Sequence, residues 1–219
     1  MTLRDVYWDN IRETCVVMVG PPGIETCGDQ YVLVAPLGKK DRLDWLGLRN
    51  VKYDKLGKVP RKVRLTPEDV VASLEDFLQR DRLLEEQSPF HVGQVVAGCP
   101  RYYNSRKVHP YLLVAPPHRV GKVTMLTGVR GTSQDLTCLL GVRSVPATHK
   151  GYWDLGGLVS FPASRVRPSH RFNNFPTEDV APVIKAFEQY LQMDAAEVAP
   201  RLQQRYGQMQ AGEERELVA

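Results

Sequence analysis

The sequence predicts a mainly β protein with helices added, an α+β chain of two similar antiparallel β-units in tandem, each followed by an amphipathic helix. Three observations predict it. Short Val-rich runs bounded by Gly and Pro recur along the chain, and runs of about five such residues read as strands of a sheet or barrel. The phrase YVLVAP at 31–36 returns as YLLVAP at 111–116, an offset of 80 residues. Two later segments, PEDVVASLEDFL from Pro67 and TEDVAPVIKAFEQYL from Thr177, share a helix-like start at an offset of 110.

The strands come first in each half. CVVMVGPPG and YVLVAPLG fall in the first half; GQVVAG, YLLVAPP and KVTMLTGV fall in the second. VVMVGPP at 16–22 lies over QVVAGCP at 94–100, so the order strand, strand, helix is kept, and the second half gains about thirty residues before its helix. On this alignment the first copy is the stripped version and lacks a turn strand. A repeat this long implies two domains rather than a solenoid. In the first helix Thr66 caps, Pro67 suits the first position, Glu68 and Asp69 oppose the dipole, and Val70, Leu74, Phe77 and Leu78 line one face. The second repeats the start, with Val180, Val183, Ile184, Phe187 and Leu191 as its stripe; Pro182 delays regular helix to about Ala181, because a proline past the first turn removes a donor and clashes with the preceding turn. A short C-terminal helix is expected from Asp194, with Glu197 completing a capping box, before a frayed tail. The domain boundaries read as 1–86, 91–193 and 194–219.

The 219 residues are 42% apolar and 25% charged, which excludes disordered and fibrous classes. No apolar run approaches the roughly 18 residues of a membrane span, and the opening MTLRDVYWDNIRE has acids where a signal peptide needs an apolar core, so a cytoplasmic protein without membrane contact is expected. Cys15, Cys27, Cys99 and Cys138 lack ligand spacing, so neither zinc nor a disulfide framework is expected, and no cofactor. The net charge of +4 conceals blocks: ten Lys/Arg against three acids from Lys39 to Arg64, and eleven against two from Arg101 to Arg171. Such blocks suit either a polyanion or an acidic protein surface.

The densest chemistry lies in two loops of the second half. PRYYNSRKVHP at 100–110 combines aromatics, cations and a histidine: Tyr102 and Tyr103 could stack on unpaired bases while Arg101, Arg106 and Lys107 hold phosphates. In VRGTSQD at 129–135, Arg130 adds charge, Gly131 frees the backbone, and Thr132 and Ser133 could bond a phosphate or a ribose hydroxyl. Tyr pairs in β-loops more often pack as walls, and GTS is a turn signal in any protein.

From about Val92 to Leu191 the chain resembles the MazF/PemK toxin family. VGQVVAG corresponds to its first strand, HP followed by YLLVAP to its loop and apolar strand, KVTMLTGVRGTSQ to its Thr/Ser-rich turn, and GLVSFPASRVRPSHRF and PTEDVAPVIKAF to its last strand and helix. The resemblance implies SH3-like barrels, here two in tandem forming an intramolecular pseudo-dimer, and metal-independent cutting of single-stranded RNA by attack of the 2′-hydroxyl on the neighbouring phosphate. It implies catalytic roles for His109, Arg106 and Thr132, and adds Arg165 and Arg167 to the binding set. His109 stands where the family has an arginine before the proline. Either Arg106 or Lys107 then supplies the cation while His109, with an ordinary imidazole pKa near 6.5, handles protons, or cleavage is lost and a binding surface remains. An RNA or other single-stranded nucleic acid is the expected partner in the first reading; the alternative is a non-catalytic double barrel that binds nucleic acid or a protein inhibitor or target.

Overall fold

The computed structural model describes residues 4–20, 23–24, 30–59, 63, 65–79, 87–98, 108–133, 144–148, 150–168 and 177–193. The expected C-terminal helix and tail lie outside them. The chain is mainly β with few helices and holds a curled, half-barrel sheet. The first sheet comprises β1 (Val6–Asp9), β2 (Thr14–Met18), β3 (Gly23–Ile24), β4 (Gln30–Pro36), β5 (Arg49–Lys52) and β6 (Leu56–Lys58), followed by α1 (Pro67–Gln79). The second comprises β7 (Val95–Gly98), β8 (His109–Leu113), β9 (His118–Val120), β10 (Val123–Thr132), β11 (Ser144–Pro146), β12 (Tyr152–Pro162) and β13 (Val166–Pro168), followed by α2 (Val180–Gln192).

The two sheets share an order: β6-β1-β2-β4-β5 in the first and β13-β7-β8-β10-β12 in the second, all antiparallel. In both, the last two strands of the unit are joined by one 3-10 turn, Tyr53–Lys55 or Ala163–Arg165. The registers agree strand by strand. Val6 opposite Val17 matches Val95 opposite Leu112; Met18 opposite Val34 matches Leu113 opposite Gly128; Val34 opposite Arg49 matches Gly128 opposite Val159; Asp9 opposite Leu56 matches Gly98 opposite Val166.

This correspondence corrects the alignment drawn from the repeated phrase. YVLVAP makes up β4 after its first residue, third of the shared strands in its unit, whereas YLLVAP enters β8, second in its own. The counterpart of YLLVAPP is VVMVGPP. Both repeated strands run through the middle of a sheet with both faces covered: Val32 to Ala35 and Tyr111 to Ala115 are all buried. Two-sided burial selects the same Val/Leu-rich composition at different positions, so the phrase reports environment rather than place. The first sheet is not missing a turn strand either, since all five shared strands are present; β9 and β11 are what the second sheet adds.

Burial divides into two clusters. Val96, Tyr111, Leu113, Leu126, Val159 and Phe161 fill the inside of the second sheet. The larger cluster joins the first sheet and both helices to the other face of the second, through Val95, Leu112, Val129, Trp153 and Leu155. At the seam β12 packs on β5 and α1 on α2. Trp45 packs edge-on to Phe187 at 6.4 Å, and Phe77 stacks on His118 at 4.5 Å. A polar relay crosses it: Ser160 Oγ donates to the Trp45 carbonyl at 2.9 Å, which leaves Thr127 Oγ1 to donate to Ser160 Oγ at 2.7 Å. The buried hydroxyls of Thr127 and Ser160 are thereby satisfied, as burial of polar groups requires. At its margin Arg4 Nη1 donates to the Leu191 and Met193 carbonyls at 2.5 and 2.9 Å.

The first helix starts as its sequence indicates. Thr66 Oγ1 accepts from Asp69 N and Asp69 Oδ2 accepts from Thr66 N, each at 3.1 Å, a reciprocal capping box. The second begins at Val180, one residue earlier than expected, after a 3-10 turn at Thr177–Asp179. Pro182 thus falls in the first turn, where an N–H has no intrahelical partner to lose. Where the helices meet, burial and then the charge of Glu75 on α1 hold the Glu188 carboxyl on α2 above its ordinary value. Its folded pKa exceeds the unfolded one, so the ionised form is the penalised form: the penalty acts above the folded pKa and is relieved as pH falls through it. Glu188→Gln is therefore expected to raise the melting temperature at pH 7, and the gain over the parent should disappear below about pH 4, where carboxylates protonate in both states. Melting curves of both proteins across that range provide the check.

Candidate nucleic-acid interface

One end of the second sheet gathers several of the residues singled out by sequence. β8 pairs with β10 through Arg130 opposite Tyr111; continuing that register by two residues sets Thr132 opposite His109. The backbones do run together there, since a Cβ on Gly131 would stand 2.8 Å from Pro110 Cγ, a space that only glycine leaves. Thr132 is also opposite Tyr152 on β12, and His109 is opposite Gly98, which in turn is opposite Val166. A single row across the sheet therefore runs Tyr152, Thr132, His109, Gly98, Val166. Opposed residues share a face, so His109 and Thr132 project together, and both are half-buried. Gly151, at φ +88°, turns the chain back so closely that a Cβ would stand 2.6 Å from the Thr132 carbonyl.

Other expected residues stand differently. Arg130, expected to add charge to the binding set, donates through Nη2 to Asp154 Oδ2 at 2.7 Å, and the Asp154 side chain is fully buried. The two are directly opposed on β10 and β12. Its charge is paired within the fold by one of the two acids of the basic block from Arg101 to Arg171. Asp154 Oδ1 also accepts from Gly156 N at 3.1 Å. Ser133 is exposed just past the row's edge, and Arg165 is exposed at the end of its 3-10 turn. Arg167 is exposed one residue beyond Val166, so strand alternation turns it to the opposite face from His109. Arg101, Tyr102, Tyr103, Arg106 and Lys107 lie outside the described residues.

Three features escaped the sequence reading. Tyr152, beside Thr132, was passed over because nothing local to it marks a strand partner of Thr132 twenty positions away. Asp179 is buried and accepts from Trp153 Nε1 at 2.9 Å, Thr148 N at 3.1 Å and the Thr148 hydroxyl, tying α2 to the β11–β12 turn. Its place as an acid at a helix start suggested only a dipole role. His118 is buried at 4% exposure; its Nδ1 donates to the Pro116 carbonyl at 2.7 Å, while Nε2 has no partner among the described residues.

In the first sheet, register places Thr14 where the second has His109, and extending β4 beyond Pro36 places Gly38 where the second has Thr132. The paired imidazole and hydroxyl thus belong to one sheet. Asp9 and Arg49 replace Gly98 and Val159, with Arg49 Nη2 donating to Asp9 Oδ2 at 2.8 Å. No group of three His, Cys, Asp or Glu side chains able to hold a metal occurs among the described residues. No protein-family model, curated protein or solved structure matches the chain.

Proposed function

We propose that the chain is a double SH3-like barrel resembling the MazF/PemK toxins, a pseudo-dimer within one polypeptide, that acts on single-stranded RNA at the His109 end of its second unit. Support for the pairing comes from counterparts meeting counterparts: β5 packs on β12 and α1 on α2, as a two-fold axis would arrange them. The observation that carries the activity is the shared face of His109 and Thr132. The neutral imidazole takes the proton of the 2′-hydroxyl as its oxygen bonds to phosphorus. The P–O5′ bond breaks, and the imidazolium returns the proton to the leaving 5′ oxygen, giving a 2′,3′-cyclic phosphate and a 5′-hydroxyl. Thr132 donates to a phosphate oxygen, and Arg106 and Lys107, three and two residues before His109 in the sequence, supply positive charge.

A second reading, a non-catalytic module that binds nucleic acid or a protein partner on the same face, is favoured by one observation: Arg130, two residues before Thr132 on β10, is paired with Asp154. Labelled single-stranded RNA incubated with the protein in excess EDTA separates the two. Cutting that leaves cyclic-phosphate ends and falls about a hundredfold in both His109→Ala and Thr132→Ala supports the nuclease. RNA that stays intact but is retained, with retention lost steeply as salt rises, supports the binder.

A further inference from the structure

A cavity of about 400 Å³ lies between the Gln87–Phe90 segment and the β9–β10 hairpin, closed by Pro117, His118 and Ala163. It is remote from the His109 end: Thr124, in its lining, precedes Thr132 by eight residues, about 26 Å along a strand. Arg119 and Thr124 are directly opposed in the hairpin, so both side chains leave the same face. Arg119 is exposed and has no ion-pair partner among the described residues. Ser88 Oγ accepts the Phe90 N–H at 3.1 Å, which leaves the hydroxyl's own hydrogen to donate. His118 lines the same cavity; with its Nδ1 donating to Pro116, its buried Nε2 is left as an acceptor without a partner among the described residues.

A guanidinium and two hydroxyls, without a carboxylate among the described lining residues, make a donor set for an anion, and a guanidinium suits the fork geometry of phosphate. The volume falls within the range of about 300 to 1,000 Å³ typical of small-molecule sites, more than a bare phosphate fills. Pro89, Phe90, Pro117 and Ala163 offer apolar wall to the remainder. We infer that this cavity binds a phosphomonoester, with Arg119, Ser88 and Thr124 on the phosphate and the apolar wall against its organic part. The source is either a free nucleotide-sized ester or the 5′-phosphorylated end of a nucleic acid.

Calorimetric titration of the full chain tests this, with uridine 5′-monophosphate, inorganic phosphate, and one oligoribonucleotide carrying either a 5′-phosphate or a 5′-hydroxyl. Saturable binding of the nucleotide is expected, tighter than inorganic phosphate and weakened at least about tenfold in Arg119→Ala. Thr124→Val should weaken it less, and Lys122→Ala, the neighbouring cation outside the lining, should leave it unchanged. A 5′-phosphate that tightens oligonucleotide binding through Arg119 assigns the site to nucleic-acid ends; a gain confined to the mononucleotide assigns it to free esters. No saturable binding of either phosphomonoester, or equal losses in Arg119→Ala and Lys122→Ala, overturns the site. Retention of the 5′-hydroxyl oligonucleotide that ignores Arg119 leaves the activity at the His109 end standing by itself.

Discussion

Arg130→Ala is expected to destabilise the protein by about 3 kcal/mol, because it strands the carboxylate of Asp154 inside the sheet without the guanidinium it pairs with. The side chain of Asp154 is wholly buried and that of Arg130 is 18% exposed, so little water can replace the guanidinium. The value is set at the lower end for buried pairs on account of that residual exposure. For a chain of this size the loss corresponds to roughly 6 to 12 °C in melting temperature. Urea denaturation of the single variants and of Arg130→Ala/Asp154→Ala together checks the cause: removing both partners should recover part of the loss, since no unpaired charge is then left behind. A side chain that merely held phosphate from the surface would behave otherwise, with stability within about 0.5 kcal/mol of the parent and weaker retention of RNA. That pattern would return Arg130 to the binding set.

The second large effect is expected at the seam. Phe187 is 1% exposed, lies on α2, and meets the Trp45 ring of the first sheet edge-on. Phe187→Ala should cost about 3 to 5 kcal/mol, the range for a buried aromatic truncated where the surroundings collapse only in part. Because the larger apolar cluster contains residues of both sheets and both helices, the loss should appear as one cooperative transition at lower denaturant, with amide protection falling in β4 and β12 alike. Hydrogen exchange resolved by residue makes the measurement. Two separate transitions, with β4 untouched, would show that the sheets hold themselves up independently.

Strand positions were legible where apolar runs met Gly or Pro: all five runs read from the sequence lie in β2, β4, β7, β8 and β10. The first helix was legible to the residue because Thr66 and Asp69 signal locally. What could not be read was which strand corresponds to which, since β4 and β8 obey the same demand for two-sided burial and nothing local distinguishes third from second. β12 was obscured similarly: Trp153 to Phe161 is buried throughout, facing one cluster with Val159 and the other with Leu155, so its residues do not alternate. At the candidate site, the neighbourhood of His109 and Thr132 was implied by two loops at the ends of adjacent strands. The fate of Arg130 was not, because a partner 24 positions away is fixed by strand register rather than by spacing.

The relay from Thr127 through Ser160 to the Trp45 carbonyl has a consequence for how the halves can drift. A protein assembled from two identical chains must accept every change at both copies at once, whereas here the hydroxyl side of the junction belongs to β12 and Asn50 stands at the matching place in β5. A change on one side of this junction therefore need not be mirrored on the other, provided that the bond from Ser160 to the Trp45 carbonyl is retained.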